Sequence, residues 1–331
     1  MRIGFVGTGV IGGGMARRAL AAGHQVAVHD LRADIVAEHA AAGAATPGSG
    51  KSLASISDFV VLSLPRAGDV EQAMHAPEGV VAGLLPGSIV IDASSVPPEG
   101  IDAARLAVKA RGASLIDAPL CPSQDRDRAI RPVPAQAVAL NAGARAAWSG
   151  NLCFFAGGDA ADIAAATPVF DLLGVQAHHV GPLGSGRLVK LLHNAINLTA
   201  LAVIAETMVV ARRSGLDVRA VIDALTGSLA DSAMLRTQGR DYIAQGHFPR
   251  GLFPLHYSVK DLGYALECAR AAGVVPGVSL GVTSAAHALF SRASQSAYGD
   301  YYNPAIYKYI DEEAGGLSGF GNPPKETPRK A

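Results

Sequence analysis

The first thirty residues constrain this chain more than any other stretch. Arg2 to Val6 is a short apolar run with a β-branched bias, which is the pattern of a buried strand. Gly7-Thr8-Gly9-Val10-Ile11-Gly12 follows at once. Met15 to Ala22 then reads as a helix closed by Gly23, and Gln25 to His29 is a second apolar strand that ends on Asp30. Gly7 permits a tight turn, Gly9 lets the backbone approach a pyrophosphate, and Gly12 lets the helix pack close to the strand. The open N–H groups of the first helical turn, with Val10 and Ile11 in it, and the positive helix end meet phosphate charge. Asp30 stands where a carboxylate accepts hydrogen bonds from the hydroxyls of an adenosine ribose and repels a 2′-phosphate. This spacing therefore predicts NAD rather than NADP, with Arg32 as the residue able to pull the other way. Strand before, helix after and acid at the right distance make a dinucleotide the better reading than an ordinary turn. FAD ranks below NAD because later residues suit hydride transfer by nicotinamide.

Strands and helices go on alternating. Phe59 to Leu64, Ser88 to Asp92, Ser114 to Asp117 and Asn151 to Ala156 read as strands, with helices after Arg32, Val70, Pro97 and Ala160. That alternation implies a mostly parallel sheet covered on both faces. The rhythm breaks at 121–148, where prolines, a charged cluster and an alanine-rich run suggest an insertion. From Gly181 strand signals stop. A glycine-rich entry leads into one long helix to about Arg213, apolar nearly all round and so expected to be buried on most sides. Val218 to Leu225, Ser232 to Gln245, His256 to Ala272 and Ser279 to Ser294 read as further helices. The expectation is an α/β doubly wound sheet of Rossmann type over 1–180. An all-α C-terminal domain over 181–314, joined by the long helix, follows it, and then a loose glycine- and proline-rich tail over 315–331.

Composition narrows the function classes. The 331 residues are 49% hydrophobic and 17% charged, with formal net charge +0. No basic stripe with interleaved aromatics is present, so nucleic acid is not an expected partner. Cys121, Cys153 and Cys268 lie far apart without a CxxC, which speaks against a disulfide scaffold or a zinc site and fits a reducing compartment. Met1 leads almost directly into the first strand, and polar residues or glycine interrupt the longest apolar stretches. The expectation is a cytoplasmic chain with no signal peptide and no membrane span.

Ligands of open α/β sheets sit outside the carboxyl ends of the strands. Leu64 and Pro65 are expected to flank the adenosine and its ribose. Ser94 and Ser95 can hydrogen-bond the nicotinamide ribose or carboxamide, or else cap the helix ahead of Pro97. Lys190 and Asn194, four apart, share one face of the long helix, and Gly184 and Gly186 would let its start lie close to the cofactor. Alcohol–carbonyl interconversion needs a proton carrier at the oxygen. A lysine beside an oxidised nicotinamide feels like charge and desolvation, both of which suit it to general base work. Asn194 can orient substrate by its amide. His193 reads as a packed helix histidine, His178-His179 lacks partner ligands for a metal, and His256 with Tyr257 is a weak pocket candidate.

These residues together resemble the β-hydroxyacid dehydrogenase family, which includes 3-hydroxyisobutyrate and 6-phosphogluconate dehydrogenases. Gly7 to Gly12 is similar to its cofactor signature, Asp92-Ala93-Ser94-Ser95 to its D-x-S-T turn, and Asp117-Ala118-Pro119 to the start of its D-A-P-V-S-G-G substrate motif. Gly181-x-x-Gly184-x-Gly186-x-x-x-Lys190 with Asn194 resembles its catalytic motif, and Lys260-Asp261-Leu262 a motif near substrate and cofactor. The resemblance implies lysine acid/base catalysis, Lys260 beside the cofactor, and a homodimer or homotetramer. Where the family has Ser-Gly-Gly, this chain has Cys121-Pro122-Ser123 and then the insertion. Pro122 has no N–H for a substrate carboxylate, so Ser123 is the candidate replacement. Arg126, Arg128 and Arg131 in the insertion suit an anionic substrate or form a solvated loop neutralised by Asp125 and Asp127. The expected activity is NAD-dependent interconversion of a small β-hydroxyacid and its semialdehyde or keto form. The alternatives are an imine reductase on the same scaffold or a non-catalytic dinucleotide-binding protein.

Overall fold

The computed structural model describes residues 1–123, 142–275 and 280–315. Arg126, Arg128 and Arg131, Ser279 and all but the first residue of the expected tail lie outside the described residues. The chain divides into two compact units, Met1–Leu191 and Leu192–Ala331, and the division falls inside the long helix.

The first unit is built on one mixed sheet. Its strands are β1 (Arg2–Val6), β2 (Gln25–His29), β3 (Phe59–Leu62), β4 (Ile89–Asp92), β5 (Ser114–Asp117), β6 (Leu120–Pro122), β7 (Leu152–Gly157) and β8 (Gly174–Gly181). The order is β2-β1-β3-β4-β5-β7-β6, with β8 on β7. The first five strands are parallel, β7 runs antiparallel to β5 and β6, and β8 is parallel to β7. The Val- and Ile-rich runs are buried on both faces, as strands sandwiched by helices require. Phe5, Met15, Ile91, Ile116 and Phe154 fill one side; Val60, Leu62, Leu84, Val90 and Val108 fill the other. Strand order reverses between β1 and β3, and the glycine turn leaves the carboxyl end of β1 there. Doubly wound sheets place their ligands at such a point.

Two local expectations change. The first helix begins at Val10 rather than Met15 and runs to Ala21. Three consecutive glycines look like helix breakers, but here they are packing requirements: a Cβ at Gly12 or Gly13 would stand 2.0 or 2.6 Å from a carbonyl oxygen of the turn. Close packing overrides their poor helix propensity. Residues 118–123 contain the short strand β6, whose three residues are too few to show a period.

In the second unit the rest of the long helix (Ser185–Arg213) packs with helices Val218–Thr226, Leu255–Ala271 and Gly281–Ser294 around Leu201, Ala205, Ile222, Leu255, Phe290 and Tyr307. Leu235–Ile243 is a π-helix, so the regular helix expected over 232–245 is locally wider; Ala244 N–H donates to the Gly239 carbonyl, five residues back, at 2.8 Å. The helix Ile306–Glu313 was not anticipated. Its apolar signal is short; Ile306 and Tyr307 are buried in the helical core, and Asp311 is buried and paired with Arg212 and Arg213 at the end of the long helix.

The long helix itself corrects one expectation. It is not buried on most sides: Leu192, Ile196, Val203 and Val210 are 50–71% exposed and recur at four- and seven-residue spacing. By length and composition alone it matches a membrane span, with a mean hydropathy of 1.6 over its most apolar window, as core helices of soluble proteins also do. Its remaining apolar residues, Leu198, Leu201, Ala205 and Met208 among them, pack into the helical core.

Candidate functional site

Backbone geometry makes the glycine turn. Gly7 has φ +80°, a left-handed conformation that L side chains avoid. A Cβ there would also strike the Ser63 carbonyl at 2.5 Å and the Leu64 side chain at 2.7 Å. Packing thus demands glycine at 7 and at 12. At Gly9 it does not, since a Cβ would meet only the tip of Arg32 at 3.4 Å. Glycine at 9 instead keeps open the space above the first helical turn, where Val10, Ile11 and Gly12 present amides that no helical carbonyl satisfies. A cradle of this kind fits a dinucleotide pyrophosphate.

Asp30 closes the cradle's side. Its Oδ2 accepts from the Thr8 amide at 2.8 Å, and its Oδ1 accepts from the Arg32 amide at 3.0 Å and Arg32 Nε at 3.2 Å. Burial pushes the Asp30 carboxyl up, but the Arg32 side chain and the two amides outweigh it, so the group sits below the ordinary carboxylate range. Arg32, able in sequence to oppose Asp30, is bound to it. Beneath the turn His39 is buried; burial first, and the charge of Arg17 second, hold its imidazole below the usual range. The sequence pattern carried no signal for His39.

The neighbouring strand ends are tied together by polar groups. Ser94 Oγ accepts from the Leu64 amide at 3.0 Å, and the Ser94 amide donates to Asp92 Oδ1. Ser94 and Ser95 do not cap a helix, because the next one begins at Ile101 with Gly100 as its cap. Asp92 forms a buried ion pair with Arg187, which also donates to the Pro97 carbonyl. Asp117, fully buried, accepts from the amides of Gly184 and Arg187, each at 2.7 Å, and so caps the long helix. Burial, followed in direction by the Asp92 charge, pushes its carboxyl up against the pull of those amides and Arg187. Gly186 lies against the sheet: a Cβ would stand 2.2 Å from the Phe155 carbonyl oxygen. Its role is close packing on β7, which the sequence attributed to cofactor approach.

Lys190, one turn further along, is buried at 8% exposure. Its charge acts on Cys153 of β7, and Cys153 stands opposite Cys121 of β6 in the antiparallel register. The expected substrate motif and the expected acid/base thus fall together within the first unit. Pro122 pairs with Leu152, and the Ser123 amide donates to the Asn151 carbonyl at 2.9 Å, so that amide is engaged in the sheet.

In the second unit Asn194 is held by a network that the sequence did not reveal. Its Nδ2 donates to Asp261 Oδ2 at 2.7 Å, and its Oδ1 lies 3.0 Å from His193 Nδ1. His193 Nε2 lies 3.1 Å from Asn197 Nδ2. The neutral tautomer protonated at Nδ1 satisfies both contacts. Asn194 therefore presents its amide in one orientation. Lys260 Nζ lies 3.2 Å from Asp261 Oδ1 and over the rings of Tyr257 and Tyr264. Tyr257 and Tyr264 stand three residues before and four after Lys260, on its own helix row, whereas the Asn194–Asp261 contact joins residues 67 apart.

Comparison with known proteins bears on what this geometry serves. Residues 2–128 match the NAD binding domain of 6-phosphogluconate dehydrogenase, and residues 184–310 match the NAD-binding domain of NADP-dependent 3-hydroxyisobutyrate dehydrogenase. A probable mitochondrial 3-hydroxyisobutyrate dehydrogenase-like protein of Arabidopsis thaliana is 31% identical over 84% of this chain and 79% of its own. The chain belongs to the β-hydroxyacid dehydrogenase family. Members of this family are NAD(P)-dependent dehydrogenases acting on CH–OH groups. The 2-(hydroxymethyl)glutarate dehydrogenase of Eubacterium barkeri is 29% identical, covering 95% of this chain and 96% of that one. A crystal structure of 3-hydroxyisobutyrate dehydrogenase from Salmonella typhimurium superposes with TM-score 0.77 and 26% identity, over 93% of this chain and 99% of that one. The family's NAD(P)-binding region and helical C-terminal region both lie along this chain.

Proposed function

We propose that this dehydrogenase interconverts a small β-hydroxyacid and its semialdehyde or keto form, with Lys190 as general acid/base. The observation that carries the reading is the burial of Lys190 beside the substrate strand. Buried titratable side chains are costly to keep out of water and cluster at functional sites. NAD(P), when bound, supplies the hydride acceptor in oxidation and the donor in reduction. Lys190 Nζ takes the hydroxyl proton as the carbonyl forms and returns it in the reverse direction. Asn194, one turn along the same helix, orients the substrate oxygen with its remaining amide N–H. Cys121 and Ser123 of the substrate segment contact the acid end.

NAD is the preferred cofactor in this reading. Asp30 stays ionised where a 2′-phosphate would sit, and the Arg32 guanidinium is spent on Asp30. The substrate is a small carboxylate, in keeping with the hydroxyacids named for the relatives; a second copy of the chain covers the exposed stripe of the long helix. The test is oxidation of NADH and NADPH against a panel of semialdehydes and keto acids. Turnover with at least one acid, faster with NADH, is expected. Tight NADH binding with no turnover across the panel would reduce the chain to a dinucleotide-binding protein.

A further inference from the structure

Two of the three cysteines face each other next to the lysine. Cys121 and Cys153 are direct partners in the β6–β7 register. Two residues away on either side, Phe155 N–H donates to the Pro119 carbonyl and Ser123 N–H to the Asn151 carbonyl, both at 2.9 Å. By the alternation of an antiparallel ladder, Cys121 and Cys153 are therefore a hydrogen-bonded pair, with Cα atoms about 5.5 Å apart. That separation falls at the mode of disulfide geometry, roughly 5.5–6 Å. Direct partners also project from the same face of the sheet. The two thiols interact across the register. The neighbouring Cys121 sulfur first, and burial second, push the Cys153 thiol up. Neither sulfur is in a disulfide, and Cys268 belongs to the other unit.

We propose that Cys121 and Cys153 are an oxidation site, a reversible cross-strand disulfide that locks β6 to β7 and shuts down turnover at Lys190. The oxidant is a hydroperoxide. The Cys121 thiolate attacks the terminal peroxide oxygen, the S–O bond forms, the O–O bond breaks, and the departing oxygen leaves as hydroxide or alkoxide and takes a proton. Cys153 sulfur then attacks the sulfenic sulfur. The S–S bond forms, the S–OH bond breaks, and water leaves with the Cys153 proton. Two electrons pass from the sulfurs to the peroxide, and an external dithiol returns them by exchange. Locking acts on the segment that the proposed function assigns to substrate, so the effect on turnover rests on that reading, whereas the bond itself does not.

The test treats the full-length reduced protein with hydrogen peroxide, then counts thiols after denaturation, measures the intact mass and maps peptides without reduction. Wild type and Cys268→Ser should each lose two thiols and the mass of two hydrogens, with 121 and 153 in one linked peptide. Cys121→Ser and Cys153→Ser should form no intramolecular bond. Turnover of oxidised wild type should fall by roughly ten- to a hundredfold, since small misplacements of a reacting geometry are costly, and dithiothreitol should restore it. Retention of every thiol, linkage through Cys268, or overoxidation of Cys121 without a bond overturns the proposal. So does a bond that leaves turnover unchanged. Should the reduced protein turn over no substrate at all, the proposed function fails while the thiol count still decides the bond.

Discussion

Asp30 and Gly9 show how single residues divide the work of the nucleotide turn. Asp30 has a lowered carboxyl in the fold, so its contribution to stability is complete above its ordinary value of 3.8 and is lost as pH falls through the lower folded value. Thermal unfolding of Asp30→Asn should therefore show a melting temperature below wild type at neutral pH, and the two curves should converge in strong acid. A gap that widens on acidification would reverse the sign. At Gly9 fold and function separate. Gly9→Ala should cost about 1 kcal/mol or less, the usual scale for an N-cap change, yet weaken NAD(H) binding tenfold or more, about 1.4 kcal/mol. Calorimetric titration beside a melting curve reads both. The glycines and Asp30 were legible because their spacing is dictated by the ligand. His39 and Thr8 were not, and Arg32 was legible only as an opponent of Asp30 and not as its partner, because these contacts depend on where the following helix lands.

Among the elements, the long helix is the one on which the site depends. Its first turn is fixed to the sheet by Asp117, by the Asp92–Arg187 pair and by the bare Cα of Gly186. Arg187 and Asp92 are 6% and 1% exposed. Removing one partner of such a pair strands the other charge, at about 3–5 kcal/mol. Arg187→Met should thus lower the free energy of chemical unfolding by that amount, and a change under about 1 kcal/mol would mean that water reaches Asp92. The extent of this helix was readable from its hydropathy, but its exposed stripe was not. A period of apolar residues says which positions avoid water, not which of them find a neighbour within their own chain. The missed strand β6 and helix Ile306–Glu313 fail for a related reason: each is short, and each is stabilised by partners distant in sequence.

For the whole molecule, the alternation of strands and helices gave the α/β first half, and the loss of strand signals after Gly181 gave the helical second half. The antiparallel pair β6–β7 joins segments about thirty residues apart in sequence, which no local pattern dictates. The exposed Leu192, Ile196, Val203 and Val210 stripe makes a prediction at this scale: light scattering should find a dimer or higher oligomer. Ile196→Glu should shift it toward monomer; an unaltered assembly would place the interface elsewhere. The central claim, that Lys190 carries the proton, is tested most directly by turnover of Lys190→Ala under saturating substrate and cofactor. The account predicts a kcat lower by about 10²- to 10⁴-fold, unchanged NADH affinity, and partial recovery with an added small primary amine. A variant that keeps most of its turnover, or loses it only through failed cofactor binding, would contradict it.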